Sequence, residues 1–237
     1  VLRDSSGESE RYDRRLLASE TVLASISDSG SYPELASIRQ TLLGWRFYHD
    51  IRTDGEAPVR KPSIALSSPT MSSDGSDLAA VLATLAYVKQ DMEAVKAAIA
   101  DAFPRAELIV SALDGKCRFA MRFPDMDRPF AAHELSDGTL RYLYLMGALL
   151  GYRLPPFIAI NEPEASLHIN LLAPLARLIA EAAKQSQIWV VTHSDQLAAH
   201  LAHTAGAMPR LVRKENGATT IVGMATEPPR ADESPAI

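Results

Sequence analysis

Two short apolar runs, each ending abruptly in polar residues and separated by one helical segment, constrain this chain more than any other feature. The first is Phe157-Ile158-Ala159-Ile160, entered through Pro155-Pro156, and the second is Ile188-Trp189-Val190-Val191. Apolar runs this short, rich in β-branched and aromatic residues, suit strands. A parallel strand covered on both faces tolerates an unbroken run of this kind. Between them, residues 168 to 185 read as a helix with Leu171, Leu172, Leu175, Leu178 and Ile179 facing inward, and with Pro174 bending or interrupting its first turns. Strand, helix, strand in that order makes the two strands neighbours in a parallel sheet, with both C-terminal ends on one edge.

That edge is where chemistry is usually presented. The first run stops at Asn161-Glu162-Pro163-Glu164 and the second at Thr192-His193-Ser194, after which residues 195 to 203 read as a helix. Polar side chains at a strand end are costly if buried without partners. A carboxylate there can hold a metal or orient a water, or it can cap the following helix. His193 alone suits packing or capping, and it gains a functional reading because the Glu162 strand ends beside it. A third cluster, Leu135-Ser136-Asp137-Gly138-Thr139, opens an apolar-rich helix from about Leu140 to Leu150. Ser and Asp are ordinary N-caps. A hydroxyl, a glycine backbone and free N–H groups at a helix start also make an anion site suited to phosphate.

Taken together, the three clusters resemble the C-terminal portion of an ATP-binding-cassette-type ATPase head of the RecF/SMC-like branch of the AAA family. LSDGT (Leu135 to Thr139) resembles the signature motif, FIAINEPEASLH (Phe157 to His168) the Walker B strand with its D-loop, and VVTHS (Val190 to Ser194) the switch-histidine loop. The likeness spans roughly residues 65 to 215, counting SSDGSDLAAVLATL (Ser72 to Leu85). It implies an α/β fold: the C-terminal part of a P-loop NTPase with a mostly parallel sheet, an inserted helical subdomain and β-hairpins. It also implies ATP and Mg2+ as cofactors. Glu162 would orient the attacking water, His193 would sense the γ-phosphate, and Asn161 would face the magnesium. Leu135, Ser136, Asp137, Gly138 and Thr139 would bind nucleotide held by a second head, and Ser166, Leu167 and His168 would lie at the interface of an ATP-dependent homodimer. DNA repair, DNA maintenance and anti-phage defence are the settings the resemblance implies, with DNA and a separate nuclease or effector as further partners.

Two departures qualify that reading. The position of the magnesium-holding acid is Asn161, whose amide oxygen can ligate but brings no charge. The chain has no G-x-x-x-x-G-K-[ST] phosphate loop: its Gly115-Lys116 pair is followed by Cys117 and strand-like residues. With Val1 rather than methionine at the start, the expectation is a piece of a longer protein whose first lobe carries that loop, and a chain inactive by itself. A degenerate head acting as an ATP-gated dimerisation module is the alternative that Asn161 motivates. An α/β interaction domain with no nucleotide, whose clusters are only caps and turns, is another.

The remaining sequence sets boundaries. Residues 1–15 are polar and expected as a flexible segment whose Arg11, Arg14 and Arg15 suit a solvated face better than a phosphate contact; 16–104 are expected as a helical subdomain with its connecting loop, 105–224 as the ATPase core, and 225–237 as a flexible tail. The period predicts helix from Leu16 to Tyr48, with Leu35, Ile38, Leu42 and Trp45 on one face, and one long helix from Leu78 to about Phe103 capped by residues 73–77. Arg60-Lys61 could be a functional basic pair, and the plainer reading is a surface strand edge. Asp114-Gly115 predicts a hairpin between residues 107–113 and 117–123, and Glu215-Asn216-Gly217 predicts another. A formal net charge of -5 carries no global signature for nucleic acid. The single Cys117 rules out an internal disulfide and fits a reducing cytoplasm, and no apolar run is long enough to span a membrane.

Overall fold

The computed structural model describes residues 2–3, 6, 8–10, 16–26, 30–89, 92–215 and 217–222. Its strands are β1 (Leu2–Arg3), β2 (Ser9–Glu10), β3 (Arg46–Tyr48), β4 (Ser63–Ile64), β5 (Glu107–Leu113), β6 (Lys116–Arg122), β7 (Phe130–Ala131), β8 (Phe157–Asn161), β9 (Gln187–Val191), β10 (Val212–Glu215) and β11 (Ala218–Ile221). Its helices are α1 (Val22–Ser25), α2 (Pro33–Leu43), α3 (Leu78–Thr84), α4 (Glu93–Ala102), α5 (Asp137–Leu150), α6 (Leu172–Ala182) and α7 (Asp195–Ala205).

The parallel sheet has the order β3-β8-β9. Tyr48, Ile160 and Val190 share one register row, and Phe47, Ala159 and Trp189 the next. Ile158, Ile160 and Tyr48 belong to the buried cluster with Leu143 of α5 and Leu175 of α6, so one face of the sheet is covered. Among the described residues the opposite face has no such cover: Phe47 is 48%, Trp189 61% and Val191 44% exposed. This corrects the expectation of a strand covered on both faces. The sequence is apolar on both, but the buried cluster lies on one, and the other is partly screened by its own aromatic rings, with Trp45 against Phe157 at 4.8 Å.

The aromatic run is also where the helical expectation for 16–48 fails. Gly44 ends α2, and Arg46–Tyr48 leave it as a strand parallel to β8. No residue of α2 is buried, so its apolar positions do not form the inward face that their spacing predicts. Trp, Phe and Tyr in sequence favour the pleated surface once a glycine has broken the helix.

The long helix expected from Leu78 is likewise divided. α3 is buried on every side from Leu78 to Thr84, a π-helical turn follows at Leu85–Lys89, and α4 starts at Glu93. α3 packs among β5, β6 and α5, whereas α4 also packs on α6, and one straight rod cannot serve both. Asp77 stands at the start of α3 without capping it. Its carboxylate turns back to accept from Ser72 N (2.9 Å), Ser72 Oγ (2.5 Å) and Ser68 Oγ (2.6 Å). In that loop Gly75 has φ +74°, and a Cβ there would meet the Tyr144 ring at 2.8 Å. Tyr144 donates to Ser73 O at 2.6 Å, and burial raises the pKa of its phenol and of those of Tyr48 and Tyr142.

The second sheet is antiparallel, β4-β6-β5 with β7 also on β6. Asp114 (φ +52°) and Gly115 (φ +70°) form the two-residue turn between β5 and β6, the left-handed pair that a right-twisted hairpin requires. β10 and β11 pair from Val212↔Ile221 to Glu215↔Ala218, and Asn216 lies outside the described residues. In α6, Pro174 occupies the third position, where a missing N–H breaks no helical bond. Near the start, β1 pairs with β2; Arg11, Arg14, Arg15 and the expected tail 225–237 lie outside the described residues. Among the described residues no helix is long and apolar enough to cross a membrane.

Candidate functional site

The C-terminal ends of β8 and β9 stand side by side. Asn161 pairs in register with Val191, and the Glu162 N–H donates to Val191 O at 2.8 Å, carrying the ladder one residue past the strand. By strand alternation Asn161 shares the open face with Phe157 and Ala159. Glu162 then takes φ +46°, a left-handed conformation uncommon for a non-glycine residue. The Ala165 N–H closes the turn onto Glu162 O at 3.1 Å. The turn sends the Glu162 carboxylate toward β9, where Oε1 lies 3.4 Å from His193 Nε2; the two side chains are 46% and 82% exposed.

His193 is held through its backbone. Glu164 Oε1 accepts from His193 N at 2.9 Å and from Thr192 Oγ1 at 2.7 Å, while Thr192 Oγ1 accepts from Ser194 N at 3.0 Å. Ser194 in turn caps α7, its Oγ accepting from Leu197 N at 3.1 Å. The other carboxylate oxygen of Glu164 is buried without a hydrogen-bond partner among the described residues. Behind the turn, the Arg141 guanidinium donates to Glu162 O (2.7 Å), Ile51 O (3.3 Å) and Pro163 O (3.4 Å). Burial lowers the pKa of Arg141, against the opposing charges of Glu164 and Glu162.

The 135–139 cluster forms a second site. Ser136 caps α5, its Oγ accepting from Thr139 N at 3.2 Å, and Leu135 is buried. Asp137 pairs with Arg60 at 2.6 Å. A Cβ on Gly138 would come within 2.8 Å of Ser166 O, so the helix start and the 162–168 loop meet backbone to backbone. Ser136, Gly138, Thr139, Ser166 and His168 line one open groove of about 470 Å³. Ser166 is left-handed at φ +62°, and His168 Nδ1 accepts from Asn170 N at 3.3 Å. Leu167 packs against the core instead of lining the groove.

The expected residues therefore divide three ways: Asn161, Glu162 and His193 stand at the sheet edge, Ser136, Gly138, Thr139, Ser166 and His168 line the groove, and Leu135, Asp137 and Leu167 lie off it, the two leucines against the core and Asp137 against Arg60. Arg60 corrects a sequence reading. It is no surface strand edge: its side chain is 10% exposed and donates to Thr53 O (2.8 Å), His133 O (3.1 Å) and Leu135 O (2.8 Å). Arg60 belongs to a 3₁₀ turn, and its fork suits the cluster of carbonyls before α5. Arg141 and Glu164 were also not singled out by sequence reasoning. A lone charge between Leu140 and Tyr142 in an apolar helix is a usable signal, because a buried guanidinium needs partners.

For a divalent cation, the donors present at the edge are the Asn161 amide oxygen and the Glu162 carboxylate. Among the described residues no group of three or more His, Cys, Asp or Glu could hold a metal. That set fits a magnesium ion held mainly by phosphate and water oxygens, and does not fit an all-protein cage.

No curated protein matches the chain in sequence. Among solved structures, an SMC head bound to the C-winged helix domain of ScpA is 17% identical, with TM-score 0.50, over 81% of this chain and 62% of that one. An SMC ATPase described for ATP-driven dimerization and DNA stimulated activation is 18% identical, with TM-score 0.44, over 54% of this chain and 80% of that one. The Smc head with a coiled coil and joint from Pyrococcus yayanosii is 19% identical, with TM-score 0.45, over 61% of this chain and 28% of that one. The chain thus spans less than two thirds of the length of the first and third of these. At such identities the likeness is one of fold, and the SMC head bound to ScpA carries it: a mixed α/β architecture with a parallel sheet and helices. A family model described as "AAA domain, putative AbiEii toxin, Type IV TA system" matches residues 13–199, most of the chain. With the fold and this match in agreement, the chain belongs to that family of AAA-type ATPase domains.

Proposed function

We propose that this chain supplies the carboxylate, the switch histidine and the signature groove of an ATPase head that hydrolyses ATP when two heads close on shared nucleotide. The observation that carries the reading is the 3.4 Å approach of Glu162 Oε1 to His193 Nε2 at the ends of adjacent parallel strands. An exposed carboxylate can accept a hydrogen bond from a water and orient it for attack. The imidazole beside it can hold a phosphate oxygen, and its backbone is steadied by Glu164. Positioning and charge stabilisation are most of what phosphoryl transfer asks of a protein. Bound magnesium would neutralise charge on the phosphates, with Asn161 and Glu162 as the nearest oxygen donors. The Ser136–Gly138 groove, with its helix-start N–H groups, would receive the γ-phosphate held by the partner head. Closure of the pair would be coupled to a DNA transaction in repair, maintenance or defence.

Lacking a phosphate-loop lysine in its sequence, this chain by itself neither binds ATP tightly nor turns it over. The test is ATP turnover and ATP-dependent dimerisation by the intact protein with and without Glu162→Gln. Loss of turnover with retained dimerisation is the expected result; turnover indifferent to Glu162→Gln overturns the reading. Asn161 favours a second reading, an ATP-gated dimerisation module without significant turnover, for which dimerisation responds to ATP while the unsubstituted protein releases no phosphate.

A further inference from the structure

We propose that Arg141 is a positioning residue that ties the phosphate-facing start of α5 to the backbone of Glu162. Arg141 is only 8% exposed and sits between Leu140 and Tyr142 in a helix that is otherwise apolar around it. A guanidinium in that setting destabilises the fold unless its donors are matched. They are matched by carbonyls alone, and two of the three belong to the turn that carries the carboxylate: Glu162 O at 2.7 Å and Pro163 O at 3.4 Å.

The position along the helix gives the contact its meaning. Gly138 and Arg141 are three residues apart, one turn of α5, so the groove at the helix start and the guanidinium lie on one short rigid segment. Gly138 touches the far end of the same loop through Ser166 O. The 162–166 loop is thus held by α5 at both ends, at Glu162 by a charged fork and at Ser166 by bare backbone. The first hold matters for chemistry because Glu162 is at φ +46°. A left-handed non-glycine residue persists only when its surroundings over-determine it, and its peptide orientation decides where the carboxylate emerges. Without the Arg141 donors, the Glu162 carbonyl keeps, among the described residues, only Ala165 N, and the carboxylate loses its fixed station beside His193. An anion docked at the start of α5 therefore bears on the aim of Glu162 in the same chain, which would link the two shared sites of a closed pair.

This inference rests on the ATPase reading, so its test separates the two. In the intact protein, Arg141→Gln is expected to lower kcat by about ten- to a hundredfold with KM little changed, the signature of lost alignment rather than lost binding. Arg141→Lys, whose ammonium can still reach one carbonyl, recovers part of that loss. Independently of turnover, amide hydrogen exchange at Glu162 and Ala165 speeds up in Arg141→Gln while residues 143–149 of α5 stay protected. If Glu162→Gln retains turnover, the role proposed for Glu162 in hydrolysis fails, and the exchange pattern alone decides whether Arg141 positions the turn. If Glu162→Gln is inactive but Arg141→Gln keeps wild-type kcat and wild-type exchange, the positioning role is overturned. It is overturned equally if both Arg141 variants deprotect α5 or fail to fold, since Arg141 would then serve only the core.

Discussion

Gly138 and Ser166 meet with no room for a side chain: a Cβ on Gly138 would stand 2.8 Å from the Ser166 carbonyl oxygen. The obstacle is backbone, so it cannot swing aside as the end of a flexible side chain could. Gly138→Ala is therefore expected to push the 162–168 loop away from α5, destabilising the fold by about 1–3 kcal/mol as overpacking does, and to abolish ATP-dependent dimerisation by reshaping the groove. Ser166→Gly, which removes a side chain from a left-handed position, should melt within a few degrees of the parent. Thermal melts and sizing with ATP check both.

Arg60 predicts a different pattern. Its donors meet the carbonyl of Thr53 and those of His133 and Leu135, the latter two just before Ser136, whereas its ion pair with Asp137 is solvent-facing, with Asp137 58% exposed. Arg60→Met should therefore destabilise by about 1–2 kcal/mol, the cost of leaving partly buried acceptors such as Leu135 O unmatched. Asp137→Asn should cost less than about 1 kcal/mol, as exposed pairs do. Urea unfolding of the two variants gives the comparison, and equal effects would place the stabilisation in the ion pair instead of the carbonyls.

How far the fold could be read from sequence depended on whether a segment's own residues determine its state. Phe157–Asn161 and Gln187–Val191 were legible because short apolar runs bounded by polar turns have few other uses. Asp114-Gly115 was legible because only a left-handed pair closes that hairpin. β3 was not, because Trp45 falls on the helical period of Leu35, Ile38 and Leu42, and its partner strand lies more than a hundred residues further on. The division between α3 and α4 follows from what each packs against, which no local period encodes. The same holds at the site. The meeting of Glu162 and His193 follows from the order of strand, helix and strand. The partners of Arg60, Arg141 and Glu164 depend on distant carbonyls and loops, and an arginine in a sequence does not say which carbonyls it will find.

Asn161 yields a prediction about cation dependence. Exchanging its amide for a carboxylate adds a charge to a donor set of one amide and one acid. In the intact protein, Asn161→Asp should lower the Mg2+ concentration needed for half-maximal turnover severalfold. A gain in maximal turnover as well would favour a slow switch, and no change in Mg2+ dependence would remove Asn161 from the cation's surroundings.

Acid should act visibly on Glu134, just ahead of Leu135 and the start of α5. Arg128 donates to both of its oxygens, at 3.0 and 2.6 Å, and Ala131 N donates at 2.9 Å. The Arg128 hydrogen bonds first, and then the Ala131 N–H, pull its pKa from the ordinary 4.5 down to about 2. A carboxylate depressed in the folded state stabilises fully above the unfolded value, and that contribution is lost as pH falls from about 4.5 toward 2. An NMR titration should place the Glu134 midpoint near the lower figure, and Arg128→Ala should move it back up.

The uncovered face of the parallel sheet has a practical consequence. Trp45 and Trp189 are the only tryptophans in the chain. Trp189 stands on that face, and Trp45 packs at a tilt against Phe157, which shares it. Both indoles thus report from one surface and none from the core, so a shift to bluer fluorescence would register whatever layer comes to rest there while saying little about the rest of the molecule.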